Sequence, residues 1–599
     1  MSASSFPIRY AISINHLAGH LLDVQLTIDS PDATGQKLTL PAWIPGSYMI
    51  RDFAKSLLKL QAKNANGDEL ALTQLDKQSW QLPAVTGPVT LSYQVYAFDL
   101  SVRSAYLDHE FCFFNGTSTF LKVLGQEHLP CHVEIIKPSL AHCAEWRVAT
   151  TLPTHADTAL HSFGDYWAED YDELVDHPVL MGHYDIVPLA VEGKTFELIL
   201  AGGHQADCER LSKDLTKICN YEIALFGEFP TERYLFITLL TQDGFGGLEH
   251  RSSTALMYSR DNLPGIDQGT SVSDGYRTFL SLCSHELFHT WHVKRIRPQA
   301  LKEADLTKEA YTNQLWIYEG FTSYYDDLCV YRAGCIDEKS YLELIGQNLT
   351  RLCRNAGRLK QSASASSFNA WTKFYQQDAS AVNNIVSYYN KGGIIAMCLD
   401  LVLRQQSNDE ATLDKVMQLL WQHYGKPDIG TDDDIIETLV FRHFGIDIRE
   451  QVNAFAHSTK ELPVSELLEA FGVKTHYRCK QNSKDNGGKP ADKTIRHGFG
   501  AVIKGAETGV IINQVAEDSP AYQAGIQVGD RLVAIDQWQI TPDNLHQVLD
   551  RFPTNDNVTA FVLRRNRLHQ LLLPIKEAQL DTIYLQIEDL EEARAWLKG

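Results

Sequence analysis

The sequence has no run of about 18 apolar residues, the length a membrane-spanning helix requires. Nor does it contain a Cys-x-x-Cys pair. Its 11 cysteines, an odd number, are scattered through 599 residues. That speaks against a disulfide framework or a structural zinc knuckle, and for reduced thiols in a cytoplasm. The opening stretch MSASSFPIRYAISINHLAGH lacks a basic start followed by an apolar block, so no secretory signal is expected. Positive charge is scarce as well. Lys and Arg number 54 against 75 Asp and Glu, a formal net charge of -21, which argues against nucleic acid as a partner.

What is present is ordinary for a globular chain: 44% hydrophobic and 22% charged residues. The length is too great for one core, and about three or four domains are expected. Residues 1 to about 170 read as β-rich. HLLDVQLTID and VTLSYQVYAF alternate apolar and polar residues between Gly, Pro, Asp and Asn turns. Helical spacing begins with DCERLSKDLTKICNYEIALFG, where Leu211, Leu215 and Ile218 fall four and three apart. RYLFITLL reads as a buried strand. From Gly275 to about Ala470 the pattern is mostly helical, clearest in GGIIAMCLDLVLRQQ and LDKVMQLLWQHYG, with QSASASS (Gln361 to Ser367) as a low-complexity loop. KQNSKDNGGKPADKTIRHG, Lys480 to Gly498, reads as a linker or exposed loop. Short strands return beyond it, and no solenoid-type repeat is present.

Chemistry concentrates in SHELFHTWHVKRIRP, Ser284 to Pro298. His285 and His289 are four apart, so on a helix they share a face and can bring two imidazoles to one metal. Glu286 follows the first histidine and is placed to act as general base toward a water held there. Histidines that meet by chance on a helix would read the same, since the pattern is short. Two ligands are also too few, because a catalytic zinc has three protein ligands and an open position. Lys294, Arg295 and Arg297 follow this helix, and no role is assigned to them.

WIYEGFTSYYDDL, Trp316 to Leu328, resembles the second metal helix of the gluzincin aminopeptidases, and the resemblance implies Glu319 as the third ligand. GFGGLEH, Gly244 to His250, resembles their amine-binding strand. It implies that Glu249 holds the substrate α-amino group while Gly246 and Gly247 let substrate backbone approach. The sequence departs from that pattern with Leu248 for methionine and His250 for asparagine. YYNKGG, Tyr388 to Gly393, is similar to their Tyr-x-Lys-Gly motif. It implies Tyr389 as donor to the developing oxyanion, with Tyr388 as the alternative one residue away. Asp326, seven after Glu319, matches the acidic residue that supports a ligand histidine; a solvated helix charge reads equally well there.

PAWIPGSYMIRDF (Pro41 to Phe53) and a C-terminal PDZ-like stretch accompany these motifs in order. The whole resembles the glycyl aminopeptidase family, family sixty-one of the metallopeptidases. The resemblance implies a multidomain α+β protein. A β-sandwich-like domain would span 1–175, a thermolysin-like α/β and helical catalytic domain 176–475, a linker 476–497, a PDZ domain 498–580 and a strand and helix tail 581–599. It implies one zinc per chain and release of small N-terminal residues, glycine and alanine foremost, from peptides with a free N-terminus. A zinc endopeptidase of the same fold remains open, as does a peptide-binding PDZ adaptor with a non-catalytic peptidase domain. GVIINQVAEDSPAYQAGIQVGDRLVAIDQ, Gly509 to Gln537, resembles PDZ domains of bacterial proteases. Gly498, Phe499, Gly500 and Ala501 fall where the carboxylate-binding loop and strand of the groove should be, for a peptide or protein C-terminus. The alternative is a groove filled by the chain's own end, DTIYLQIEDLEEARAWLKG.

Overall fold

The computed structural model describes residues 6–598. By its internal contacts the chain falls into two compact units, Met1–Ala310 with Trp421–Gly430, and Tyr311–Leu420 with Thr431–Gly599. The protein is a multidomain α+β chain with an N-terminal β-rich domain, a helical region and a C-terminal β-rich module.

In the first unit the alternating segments become strands with one buried face. Leu22, Val24, Leu26 and Ile28 of Leu21–Ile28 point inward, and its neighbour Val89–Tyr96 repeats the pattern. Both lie inside a seven-stranded sheet. Phe111–Phe114 is buried at every position, as a strand covered on both faces must be. Its four-stranded sheet contributes Phe113, Val148 and Leu180 to the same core as Val24 and Leu91.

That core continues into the next sheet, through Ile199, Leu235, Ile237 and Leu248. This sheet has five strands in the spatial order Tyr184–Leu189, Thr195–Ala201, Arg233–Thr241, Ser253–Ser259, Phe245–Glu249. The three central strands are parallel, and RYLFITLL is buried from Tyr234 to Leu240, as its apolar run requires. Phe245–Glu249 is an antiparallel edge strand, paired among the described residues only with Ser253–Ser259. Helix Cys208–Phe226 starts where Asp207 accepts from the Arg210 N–H and stops at Gly227, which has φ +84. Helix Asp274–Phe288, which carries His285 and Glu286, is capped by Ser273.

In the second unit, helix Tyr388–Ser407 is buried nearly all round, which explains the unbroken apolar stretch GGIIAMCLDLVL. It crosses helix Gly320–Arg332 at bare backbone: a Cβ on Gly320 would lie 2.5 Å from the Gly392 Cα. QSASASS is not a loop. Ala363–Phe368 is helical, capped by Ser362. Its hydroxyls are taken up by backbone: Ser366 donates to the Val386 carbonyl, and Ser367 Oγ accepts from the Trp316 N–H at 2.9 Å. Small residues with satisfied hydroxyls fit a buried contact, and their low-complexity composition conceals this.

The polar stretch from Lys480 differs from a free linker. Arg478 and Asp485 form a largely buried ion pair, Gly487 and Gly488 are buried, and the Gly488 N–H donates to the Ile583 carbonyl. The PDZ domain follows, with Phe499, Ile512, Leu532 and Val562 in its own core. Ser519 caps the short helix Pro520–Gln523, and Gly525 and Gly529 supply positive φ. The C-terminal end does not fill the PDZ groove. Thr582–Ile587 pairs antiparallel with Val473–Arg478, and in helix Leu590–Leu597 the Trp596 Nε1 donates to Tyr324 Oη at 3.3 Å. The 11 cysteines stand outside disulfides, and among the described residues no helix is long and apolar enough to cross a membrane.

Candidate active site

His285 sits in the last turn of its helix, and the His289 N–H still donates to the His285 carbonyl, so the four-residue spacing keeps both rings on one side. The rings stand perpendicular with centroids 4.6 Å apart. His289 Nδ1 bonds the His292 carbonyl at 2.8 Å. A carbonyl only accepts, so Nδ1 carries the proton and Nε2 is left as the ligand atom. Glu319 is buried, in the break between the short helix Leu315–Tyr318 and Gly320–Arg332. One ligand atom from each of His285, His289 and Glu319 lies within 4.8 Å of the others. Two imidazoles and a carboxylate gathered so closely are a donor set that fits a metal ion.

Glu286 is 4% exposed, with Thr254 Oγ1 3.4 Å from its Oε2. Its Oε1 lies against Gly247 so closely that a Cβ there would overlap it. The edge strand therefore passes directly over the carboxylate, and only glycine allows that. Two residues on, Glu249 is also 4% exposed, and its Oε1 has no hydrogen-bond partner among the described residues. PAWIPGSYMIRDF reaches this same carboxylate. Its turn is closed by the Ser47 N–H donating to the Ile44 carbonyl and braced by Arg51 donating to Ser47 Oγ at 2.8 Å. A Cβ on Gly46, at φ +92, would stand 2.5 Å from both Glu249 oxygens.

Tyr389 lies in the first turn of its helix, its hydroxyl 3.2 Å from that of Tyr375. Burial pushes its phenol well above the ordinary value, with the Glu319 charge adding to the effect, so it stays protonated. The Tyr388 ring is fully buried and stacks on Tyr389 at 4.7 Å. Asp326 accepts from the Asp327 N–H at 2.6 Å; for His289, the supporting position is taken by the His292 carbonyl.

Residues 9–183 match the Peptidase M61 N-terminal domain, 278–395 the M61 glycyl aminopeptidase, and 511–564 a PDZ domain. The crystal structure of an aminopeptidase N family protein from Idiomarina loihiensis is 44% identical, covers 99% of this chain and 100% of its own, and superposes with a TM-score of 0.96. The chain belongs to the M61 glycyl aminopeptidase family. It is a metallopeptidase of the aminopeptidase type. An M1 zinc metallopeptidase from Deinococcus radiodurans is 14% identical, with 76% of this chain and 94% of that one covered and a TM-score of 0.47, too distant to transfer anything. No curated protein matches by sequence.

In this M61 peptidase the cations after the metal helix brace the chain. Lys294 Nζ donates to Asp176 at 2.6 Å, and Arg295 donates to the Thr290 and Arg251 carbonyls. Burial lowers the Arg295 pKa to about 10. Arg297 lies 3.2 Å from Asp428. His250, the departure from asparagine, is buried with Nδ1 3.5 Å from Asp176. At the PDZ domain, Gly498 pairs with Lys576, and the Phe499 side chain is in the core rather than along the groove. Gly500 has φ +78 and its carbonyl accepts from Ala516, while Ala501 opens the strand Ala501–Gly505. That strand ends its sheet, and its outer edge has no strand partner among the described residues. Two residues along the edge strand escape a reading by motif: Gly46, against Glu249, and Arg103, which donates to the Gly247 carbonyl. The first lies in a motif that signals the family and names no role; the second carries no local signal.

Proposed function

We propose that the protein is a zinc-dependent aminopeptidase that removes small N-terminal residues, glycine and alanine foremost, from peptides with a free N-terminus. The observation that carries this is the buried Glu249 carboxylate with an unpartnered Oε1, two residues from the glycine that covers Glu286. A buried acceptor without a donor is costly, and a substrate ammonium supplies donor and charge together. The Gly46 turn crowds that carboxylate, which favours a first residue with little or no side chain.

His285, His289 and Glu319 hold one zinc per chain in this reading. Bound there, zinc supplies Lewis acidity toward the scissile carbonyl and the attacking water. Glu286 takes the proton of that water and passes it to the leaving amine. Tyr389, protonated and partly exposed, donates to the oxyanion as it forms. Gly246 and Gly247 keep the strand open to substrate backbone. Asp326 is a candidate support for the metal ligands. The bare outer edge of Ala501–Gly505, with Gly498, Phe499 and Gly500 before it, supports capture of a peptide or protein C-terminus by strand addition.

The deciding experiment compares free and N-acetylated glycyl, alanyl and leucyl substrates with the zinc-replete protein. Free glycyl and alanyl substrates are expected to be cleaved best and acetylated ones poorly. Equal rates on free and acetylated substrates would reject an exopeptidase and promote the endopeptidase reading; no cleavage of either would leave the adaptor.

A further inference from the structure

Arg103 reaches the edge strand from the N-terminal β domain. Its Nη2 donates to the Gly247 carbonyl at 3.1 Å, and its Nη1 lies 3.5 Å from where a Cβ of Gly246 would stand. Thr254, on the paired strand, donates to the Leu248 carbonyl. Successive carbonyls of a strand point to opposite edges, so the Gly247 carbonyl faces the open side, and Arg103 meets it there. The backbone that carries Arg103 is held on both sides. The buried Asn115 amide donates to the carbonyls of Val102 and Ser104, on either side of Arg103, at 2.9 and 3.3 Å. Among the described residues no carboxylate pairs with this arginine, and its buried Nε has no acceptor. A guanidinium with one nitrogen engaged and no counter-ion is a receptor for an anion.

We propose that Arg103 binds the terminal carboxylate of short peptide substrates, which makes di- and tripeptides the preferred class. The proposal rests on the reading of Glu249 as ammonium anchor. Glu249 and Gly247 are two residues apart, about 7 Å along a strand, and an extended dipeptide spans about 7 Å. A peptide with its amine on Glu249 and its scissile bond over Glu286 runs toward the Gly246–Gly247 end, whose outer carbonyl edge Arg103 occupies. Arg103 also occupies the edge that a longer peptide would need for continued strand pairing.

The test measures kcat/KM of the zinc-replete full-length enzyme on Gly-Leu and Gly-Leu-amide, with glycyl-4-nitroanilide alongside. Wild type is expected to favour the free acid by about tenfold or more, as a charge-assisted pair predicts. Arg103→Gln should bring that ratio to about one, chiefly through KM, and Arg103→Lys should retain much of it. A wild-type ratio of one or less with the nitroanilide still cleaved overturns the role of Arg103 alone. An equal loss on both dipeptides in Arg103→Gln, with the ratio kept, overturns it too and leaves the arginine a prop for Gly247. Failure to cleave any of the three substrates sinks the aminopeptidase reading, and this one with it.

Discussion

Glu286 and Glu249 lie on one wall, equally buried, and differ in what surrounds their oxygens. Glu286 is touched by Thr254 and covered by Gly247; Glu249 keeps an oxygen without a donor. In the proposed reading the first exchanges a proton and the second receives a charge. Glu286→Gln should therefore keep its zinc, measured by elemental analysis, and lose about a thousandfold in kcat. Glu249→Ala should keep zinc as well but lose about thirtyfold to several-thousandfold in kcat/KM on free glycyl substrates, the cost of leaving a charge unpaired. N-acetylglycyl substrates should respond little to that change, and a parallel fall on both would place Glu249 in the chemistry instead. His285, Glu286 and His289 are legible in the sequence because their spacing is local and helical, and Glu319 only through the resemblance of its segment. Gly46 and Arg103 are not, because each meets its partner across a long stretch of chain: Arg103 and Gly247 are 144 residues apart.

At the scale of elements, periodicity is informative where one face is buried and silent where both are, or where neither composition nor period is distinctive. Leu21–Ile28 and Cys208–Phe226 follow from their patterns. Ala363–Phe368 does not, because serine reads as loop until its hydroxyls have backbone partners. The segment after the metal helix shows a third case, order imposed by one buried charge. Asp176 accepts from Lys294 Nζ and the Arg251 N–H and faces His250. It thereby ties that segment to the end of the strand that carries Glu249. Burial alone would raise the Asp176 pKa, but the Lys294 ammonium and His250 outweigh it and hold the carboxyl well below its ordinary 3.8. A carboxyl depressed on folding stabilises the fold above that ordinary value and loses the contribution as pH falls toward the folded value. Asp176→Asn leaves Lys294 buried without its counter-charge, at a cost of about 3–5 kcal/mol. Melting temperature followed from pH 7 downward should be lower in the variant at neutral pH. The gap should narrow below about pH 4. A constant gap across the range would mean that packing, not charge, holds the segment.

On the scale of the whole molecule, the three modules are legible because each carries its own motif, whereas the use made of the chain's end is not. DTIYLQIEDLEEARAWLKG suits either a groove filler or a strand and helix packed elsewhere, since alternation and amphipathic spacing name no partner. The structure places it against the helical region. Arg332 donates to the carbonyls of Trp596 and Leu597, and the fully buried Trp596 reaches Tyr324. The tail thus stabilises its unit and leaves the strand Ala501–Gly505 bare at its outer edge. Trp596→Ala removes a large buried ring and should cost about 3–5 kcal/mol, seen as a lower melting temperature. Binding of a fluorescent peptide with a free C-terminal carboxylate should be the same in wild type and variant, because nothing is displaced from the groove. Its C-terminal amide should bind more weakly to both. If binding instead emerged only when the tail was loosened, the tail would be a competitor for the PDZ groove in solution, and the strand pairing of Thr582–Ile587 with Val473–Arg478 would be one of two alternative seats.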